Sequence, residues 1–116
     1  MGHDPTGPSW QSRPCPPWCV RTHREDDHPD DRFHDSRSTR VPVVLLDRDV
    51  DAGPGRWSHD LTDLAIVVSQ HDTADEVVVL VGREDDTRQQ LHLSAESAAR
   101  LAKALDTHLR ILRPPG

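Results

Sequence analysis

The sequence predicts an α+β protein in which a small four-stranded antiparallel sheet carries one packed C-terminal helix and follows a Pro-rich N-terminal segment. Two observations predict this class. Short runs of Val, Leu and Ile separated by polar turns begin at Val41, and the pattern of an amphipathic helix follows Ser94. A chain of 116 residues has room for one modest domain of this kind.

Four apolar runs are assigned as strands because they are short, rich in Val and Leu, and flanked by turn residues. They are Val41–Leu46, Leu64–Ser69, Glu76–Val81 and Gln89–Leu93. The links at 70–75 and 83–87 are short and polar, so the last three strands are predicted to form an antiparallel meander.

The C-terminal helix has the clearest pattern in the chain. Ser94 is a natural N-cap, and Glu96 lies in the first turn, where the helix dipole favours a negative charge. An apolar stripe at helical spacing is formed by Ala98, Leu101, Ala102, Leu105, Leu109 and Leu112. We therefore predict that this stripe packs on one face of the sheet.

One helix cannot cover both faces of the predicted sheet. The run Val77–Val81 is apolar at every position, whereas apolar and polar residues should alternate along a strand whose sheet is covered on one face only. We expect a protein partner or a homodimer to contact the sheet face or the helix. The alternative is that the N-terminal segment covers this face with Trp10 and Trp18.

The N-terminal segment contains a group of side chains typical of metal sites. Cys15 and Cys19 are separated by three residues, His23 follows after another three, and ten residues separate His23 from His34. Two thiolates and two imidazoles would complete a tetrahedral zinc site with no open position, which is a structural rather than a catalytic arrangement. We expect this Zn²⁺ to stabilise a segment that has almost no aliphatic residues.

Two choices in this group stay open. His28 also has acceptable spacing, but it precedes Pro29 and is surrounded by aspartates, so His34 is the preferred fourth ligand. The cysteines could instead form a disulfide, act as a redox pair or remain inert thiols. The predicted organisation is a disordered tail over 1–13, a Cys/His metal-binding segment over 14–40 and a two-layer α+β domain over 41–113.

The motif Cys15-Pro-Pro-Trp18-Cys19, followed by His23 and by His34-Asp-Ser36, resembles a family of small actinobacterial proteins of unknown function with the pattern CPxWC…H…HxS. The resemblance covers the chain from the first cysteine to the final helix. It implies that the two cysteines and the two histidines belong together, and that the tryptophan and the serine are part of the motif. It implies no activity.

The function predicted from these features is a non-enzymatic, zinc-stabilised protein-interaction module, with no catalytic residues. A zinc-dependent nucleic-acid-binding adaptor is one alternative, although a net charge of −6 disfavours binding to nucleic acid. A small metal-dependent hydrolase or thiol redox protein is the second. The N-terminus lacks signal-peptide features and no run approaches ~18 apolar residues, so we expect a cytoplasmic protein without a membrane span.

Overall fold

The computed structural model describes residues 7–114 and contains one antiparallel sheet and one α-helix. The strands are β1 (Phe33–Asp35), β2 (Thr39–Arg48), β3 (Trp57–His71), β4 (Val78–Gly82) and β5 (Gln90–Ser94), and the helix is α1 (Ala95–Arg110). This is the α+β class that the sequence predicts. β1 is an additional strand, which the apolar pattern did not indicate because it contains only Phe, His and Asp.

The sheet is built around β3, which is 15 residues long. Ser69 of β3 faces Asp35 of β1 on one side and Val78 of β4 on the other. β2 also pairs with β3, and β5 pairs with the outer side of β4. The last three strands therefore form the predicted antiparallel meander, and β1 and β2 follow one another along its opposite edge.

The hairpin of β2 and β3 extends far beyond the rest of the sheet. β4 pairs with β3 only at residues 65–69, whereas β2 pairs with it from residue 66 back to residue 57. Residues 41–64, here called the arm, are thus a two-stranded ribbon. Among the described residues, no other strand pairs with β2 or β3 in this region. Its loop contains Gly53 and Gly55, both with positive φ, a backbone conformation that glycine adopts without steric cost.

Ser94 is the N-cap of α1, and its Oγ accepts a hydrogen bond from Ser97 N at 3.1 Å, as the sequence predicts. The helix packs on β4 and β5. Past its first turn, the apolar stripe remains exposed. Among the apolar residues described, Ala65 alone is fully buried. The radius of gyration is 19.2 Å, whereas a compact domain of 100 residues has a value of about 13 Å.

The Cys/His segment is joined to the sheet rather than separate from it. β1 lies within residues 14–40, and the predicted boundary between residues 40 and 41 falls inside β2. The predicted tail lies partly outside the described residues, which begin at residue 7. In its described part, Gln11 is buried and Ser12 is hydrogen-bonded to Asp72. The folded chain therefore extends further toward the N-terminus than residue 14.

Gly82 offers a direct test of the pairing between β4 and β5. A Cβ at this position would lie 2.4 Å from the backbone oxygen of Gln89 and 2.6 Å from the Cα of Gln90. We expect Gly82→Ala to lower the free energy of unfolding by about 1–3 kcal/mol, measured by urea denaturation. Gly55→Asn is the control, because the space around Gly55 is open and Asn tolerates positive φ. Equal urea midpoints for the two variants would contradict the pairing of β4 with β5.

Candidate metal centre

Cys15, Cys19, His23 and His34 meet beside β1, and one potential ligand atom from each lies within 4.8 Å of the others. Nε2 of His23 is 3.1 Å from Sγ of Cys15 and 3.7 Å from Sγ of Cys19. The rings of His23 and His34 are 4.9 Å apart between centroids. Both cysteines are thiols in the structure. The four side chains together could hold a metal ion.

A proline-directed turn brings the two cysteines to the same place. Cys19 N donates to the carbonyl oxygen of Pro16 at 2.9 Å, and Pro17 occupies the second turn position, where its fixed φ is favourable. Val20 N then donates to the carbonyl oxygen of Asp35 at 2.9 Å. This bond ties the chain after Cys19 to the end of β1.

His34 is completely buried, and its two ring nitrogens have different environments. Nε2 donates to Oδ1 of Asp72 at 3.0 Å, and Asp72 is only 1% exposed. Nδ1 is buried and has no hydrogen-bond partner among the described residues. Because Nε2 carries the proton, the lone pair of Nδ1 is the one available to a metal. Histidines that bind a metal through one ring nitrogen usually donate from the other ring nitrogen to a carboxylate, as His34 does to Asp72.

Asp72 is itself held by several donors. Its Oδ2 accepts from Ser12 N at 2.9 Å and from Ser12 Oγ at 2.8 Å, and its own N donates to the carbonyl oxygen of Arg32 at 2.8 Å. Burial raises the pKa of Asp72, but the hydrogen bonds from Ser12 and His34 outweigh this effect and bring the pKa below its ordinary value. The side chain is therefore a carboxylate at neutral pH.

Residues 10–12 form a second layer over the cluster. The Gln11 side chain, which is buried, donates from Nε2 to the carbonyl oxygen of Arg13 at 2.9 Å and to Sγ of Cys15 at 3.5 Å. The Trp10 ring meets the His23 ring edge-on at 5.6 Å. Burial, together with the nearby His34, lowers the pKa of His23, which favours the neutral imidazole that a metal requires.

The other residues singled out in the sequence lie elsewhere. His28 is exposed, and its Nδ1 accepts from Asp30 N at 3.1 Å as the cap of a short 3₁₀ turn. Oγ of Ser36 accepts from Val68 N, and Ser36 N donates to the carbonyl oxygen of Val68, both at 2.8 Å. Ser36 therefore completes the hydrogen bonding of β3 in the gap between β1 and β2. Trp18 is half-buried.

Sequence reasoning missed Asp72, Ser12 and Gln11. Asp72 lies 38 residues from His34 in the chain, within a stretch read as a polar turn. It reaches the site because β1 pairs with the end of β3 and Asp72 directly follows that end. Only a prediction of β1 and its register could have placed this carboxylate beside the histidine.

Comparison with known proteins gives one family and no individual relative. A family model described as a domain of unknown function (DUF6907) matches residues 2–115. No curated protein and no solved structure matches the chain. Within residues 7–114, no helix is long and apolar enough to cross a membrane.

Proposed function

The chain belongs to the family described as a domain of unknown function (DUF6907), and we propose that it is a non-enzymatic protein-interaction module stabilised by one structural Zn²⁺. The proposed ligands are Sγ of Cys15 and Cys19, Nε2 of His23, which lies nearest the two sulfurs, and Nδ1 of His34, which Asp72 leaves free. The buried, unpartnered Nδ1 of His34 is the observation that carries the proposed metal site, because such a nitrogen is costly unless it binds something. Nδ1 of His23 is also buried without a partner among the described residues, but its Nε2 is the ring nitrogen that lies 3.1 Å and 3.7 Å from the two sulfurs.

The chemistry of the donor set supports zinc. Two thiolates balance the charge of Zn²⁺, and two neutral imidazoles complete the tetrahedral coordination that structural sites adopt. A metal bound here would supply folding free energy to a region with few apolar contacts. The protein itself orients the ligands through the turn at Pro16 and the carboxylate of Asp72, and it covers them with Gln11 and Trp10.

A structural role fits this site better than a catalytic one. Four protein ligands would leave no position for a water molecule, which a catalytic zinc requires. A thiol redox role would need an attacking thiolate accessible to its substrate, whereas in the proposed site both sulfurs are bound to the metal. Metal-bound thiolates also suit a reducing compartment, so we propose a cytoplasmic location.

Ion pairs of the N-terminal arginines with carboxylates disfavour binding to nucleic acid. Several of them face carboxylates rather than presenting free positive charge. The pairs are Arg13 with Asp75, Arg21 with Asp35, Arg24 with Asp26 and Arg40 with Glu84. A phosphate-binding surface needs uncompensated cations. We therefore propose a protein as the partner, either a second copy of this chain or another protein.

The choice of His34 over His28 can be tested by metal content. We expect His34→Gln to reduce zinc from one per chain to below about a tenth, because the ligand whose Nδ1 is proposed to complete the site is lost. His23→Gln should do the same while leaving the bond between His34 and Asp72 intact. His28→Gln is the matched control and should retain full zinc. Loss of metal from the His28 variant alone would overturn the assignment.

A further inference from the structure

Three consecutive residues, Trp10, Gln11 and Ser12, precede the first proposed ligand and each reach a different part of the metal centre. They are called here the clasp. Their contacts are the His23 ring for Trp10 at 5.6 Å between ring centroids, Sγ of Cys15 for Gln11 at 3.5 Å, and the carboxylate of Asp72, which accepts from His34, for Ser12 at 2.8 and 2.9 Å. The clasp thus contacts three of the four proposed ligands, either directly or through one carboxylate.

The clasp is held in place by contacts outside the ligand set. Gln11 N donates to the carbonyl oxygen of Pro8 at 3.2 Å, which closes a turn at the start of the clasp. Trp10 Nε1 donates to the carbonyl oxygen of Arg24 at 2.7 Å, and the Arg32 guanidinium lies 5.2 Å from the centre of the Trp10 ring. These contacts fix the clasp against the part of the chain that follows the third ligand.

The amide of Gln11 has a fixed orientation. The residue is 3% exposed, and its Nε2 donates to the carbonyl oxygen of Arg13 at 2.9 Å as well as to Sγ of Cys15. Only the NH₂ group of an amide can donate to a carbonyl oxygen, so the first bond determines which end of the amide faces the sulfur. The side chain therefore presents an N–H to Cys15.

The sulfur that receives this bond belongs to the more accessible cysteine. Cys15 is exposed, whereas Cys19 is half-buried. A thiolate that faces solvent is the one that a proton or an electrophile reaches first. A hydrogen bond to a thiolate stabilises its charged form, and a less basic thiolate is a weaker nucleophile. Gln11 thus acts on the sulfur at which an attack on the centre would begin.

From these observations we propose that Gln11 is a positioning residue of the metal centre, which slows the loss of the metal by holding and stabilising the exposed thiolate of Cys15. Gln11 does not bind the metal itself and acts through Cys15. Release of the metal begins at Cys15 and requires the bond from Gln11 to break. The proposal rests on the metal site of the proposed function and adds what controls the release of the metal.

Transfer of zinc from the full-length protein to an excess of chelator tests this role. Gln11→Met keeps the length of the side chain and has no N–H donor. We expect zinc to leave this variant about 10–100-fold faster than the wild-type protein, the size of effect that partners of metal ligands usually have. In the cobalt-loaded variant, the sulfur-to-cobalt charge-transfer band should move to lower energy, because the thiolate gives up charge more easily without the donor.

Alkylation of the zinc-loaded proteins with iodoacetamide, followed by peptide mass spectrometry, identifies the cysteine that reacts. In this reaction the sulfur forms a bond to carbon and iodide leaves. We expect Cys15 to react before Cys19 in the wild-type protein, and Gln11→Met to accelerate the reaction of Cys15 alone. Arg13→Ala is the matched control and should release zinc at the wild-type rate, because its side chain faces the exposed Asp75 and its backbone oxygen is retained.

The outcomes separate this proposal from the metal site on which it rests. First reaction at Cys19 in the zinc-loaded wild-type protein would overturn it, whether or not the variant folds. Unchanged zinc release from Gln11→Met would do the same, and equal acceleration of both cysteines would show that Gln11 acts by packing alone. In each case the zinc site stands. A wild-type protein that holds no zinc would instead overturn the proposed function.

Discussion

Replacing Cys19 by serine is expected to remove the zinc and to unfold the N-terminal segment. Serine remains neutral at physiological pH and replaces a thiolate ligand, so the site loses both a donor and the charge that balances the metal. Structural zinc contributes about 10–16 kcal/mol of apparent binding free energy in zinc-finger peptides, which is as large as the total stability of a typical small domain, about 5–15 kcal/mol. The loss should therefore be large.

Metal content and tryptophan fluorescence measure this effect. Trp10 lies against the His23 ring, and its Nε1 donates to the carbonyl oxygen of Arg24 at 2.7 Å, so its environment changes when the cluster opens. We expect less than about a tenth of a zinc per chain and a red-shifted emission. Chelator treatment of the wild-type protein should give the same spectrum, and His28→Gln, which changes an exposed residue outside the cluster, should retain zinc and the wild-type spectrum. A Cys19→Ser protein with wild-type emission would show that the segment folds without metal.

Replacing Asp72 by alanine is the second change with a large expected effect. Ser12 N and His34 Nε2 donate to this carboxylate and lose their acceptor in the variant, and the His34 ring is completely buried. Ser12 Oγ keeps the backbone oxygen of Asp72 as an acceptor at 3.0 Å. Each unsatisfied buried donor costs about 1–3 kcal/mol. The His34 ring also loses the group that fixes its tautomer, so zinc affinity should fall about 10–100-fold.

Asp75→Ala is the matched control for Asp72→Ala. Asp75 is a carboxylate from the same turn, but it is fully exposed and lies 3.7 Å from Arg13. An exposed pair of this kind contributes little to stability, so the free energy of unfolding of the control should lie within about 1 kcal/mol of the wild-type value. Competition with a zinc indicator measures the affinities, and urea denaturation measures the stabilities. Equal zinc affinity for the two variants would exclude a positioning role for Asp72.

The elements that could be predicted from the sequence are those with local signals. Ser94 followed by a stripe at helical spacing fixes the start and face of the helix, and short Val-rich runs indicate the meander. The spacing of Cys15, Cys19 and His23 is likewise local, since eight residues and one turn bring them together. These inferences needed no knowledge of tertiary contacts.

The remaining features depend on contacts distant in sequence. β1 has no apolar pattern and exists because β3 is long enough to pair with both β1 and β2. The position of Asp72 follows from that pairing. The predicted burial of the whole helix stripe on the sheet is not seen, because α1 contacts the sheet near its start and Leu105 lies beyond this contact. Periodicity identifies an apolar face but not the surface that covers it.

The most direct test is elemental analysis of the intact protein purified without added zinc, combined with its mass under non-denaturing conditions. The proposed site predicts one Zn²⁺ per chain and both cysteines in the thiolate form, bound to the metal. A folded protein that contains no metal, or whose mass shows a disulfide between Cys15 and Cys19, would contradict it.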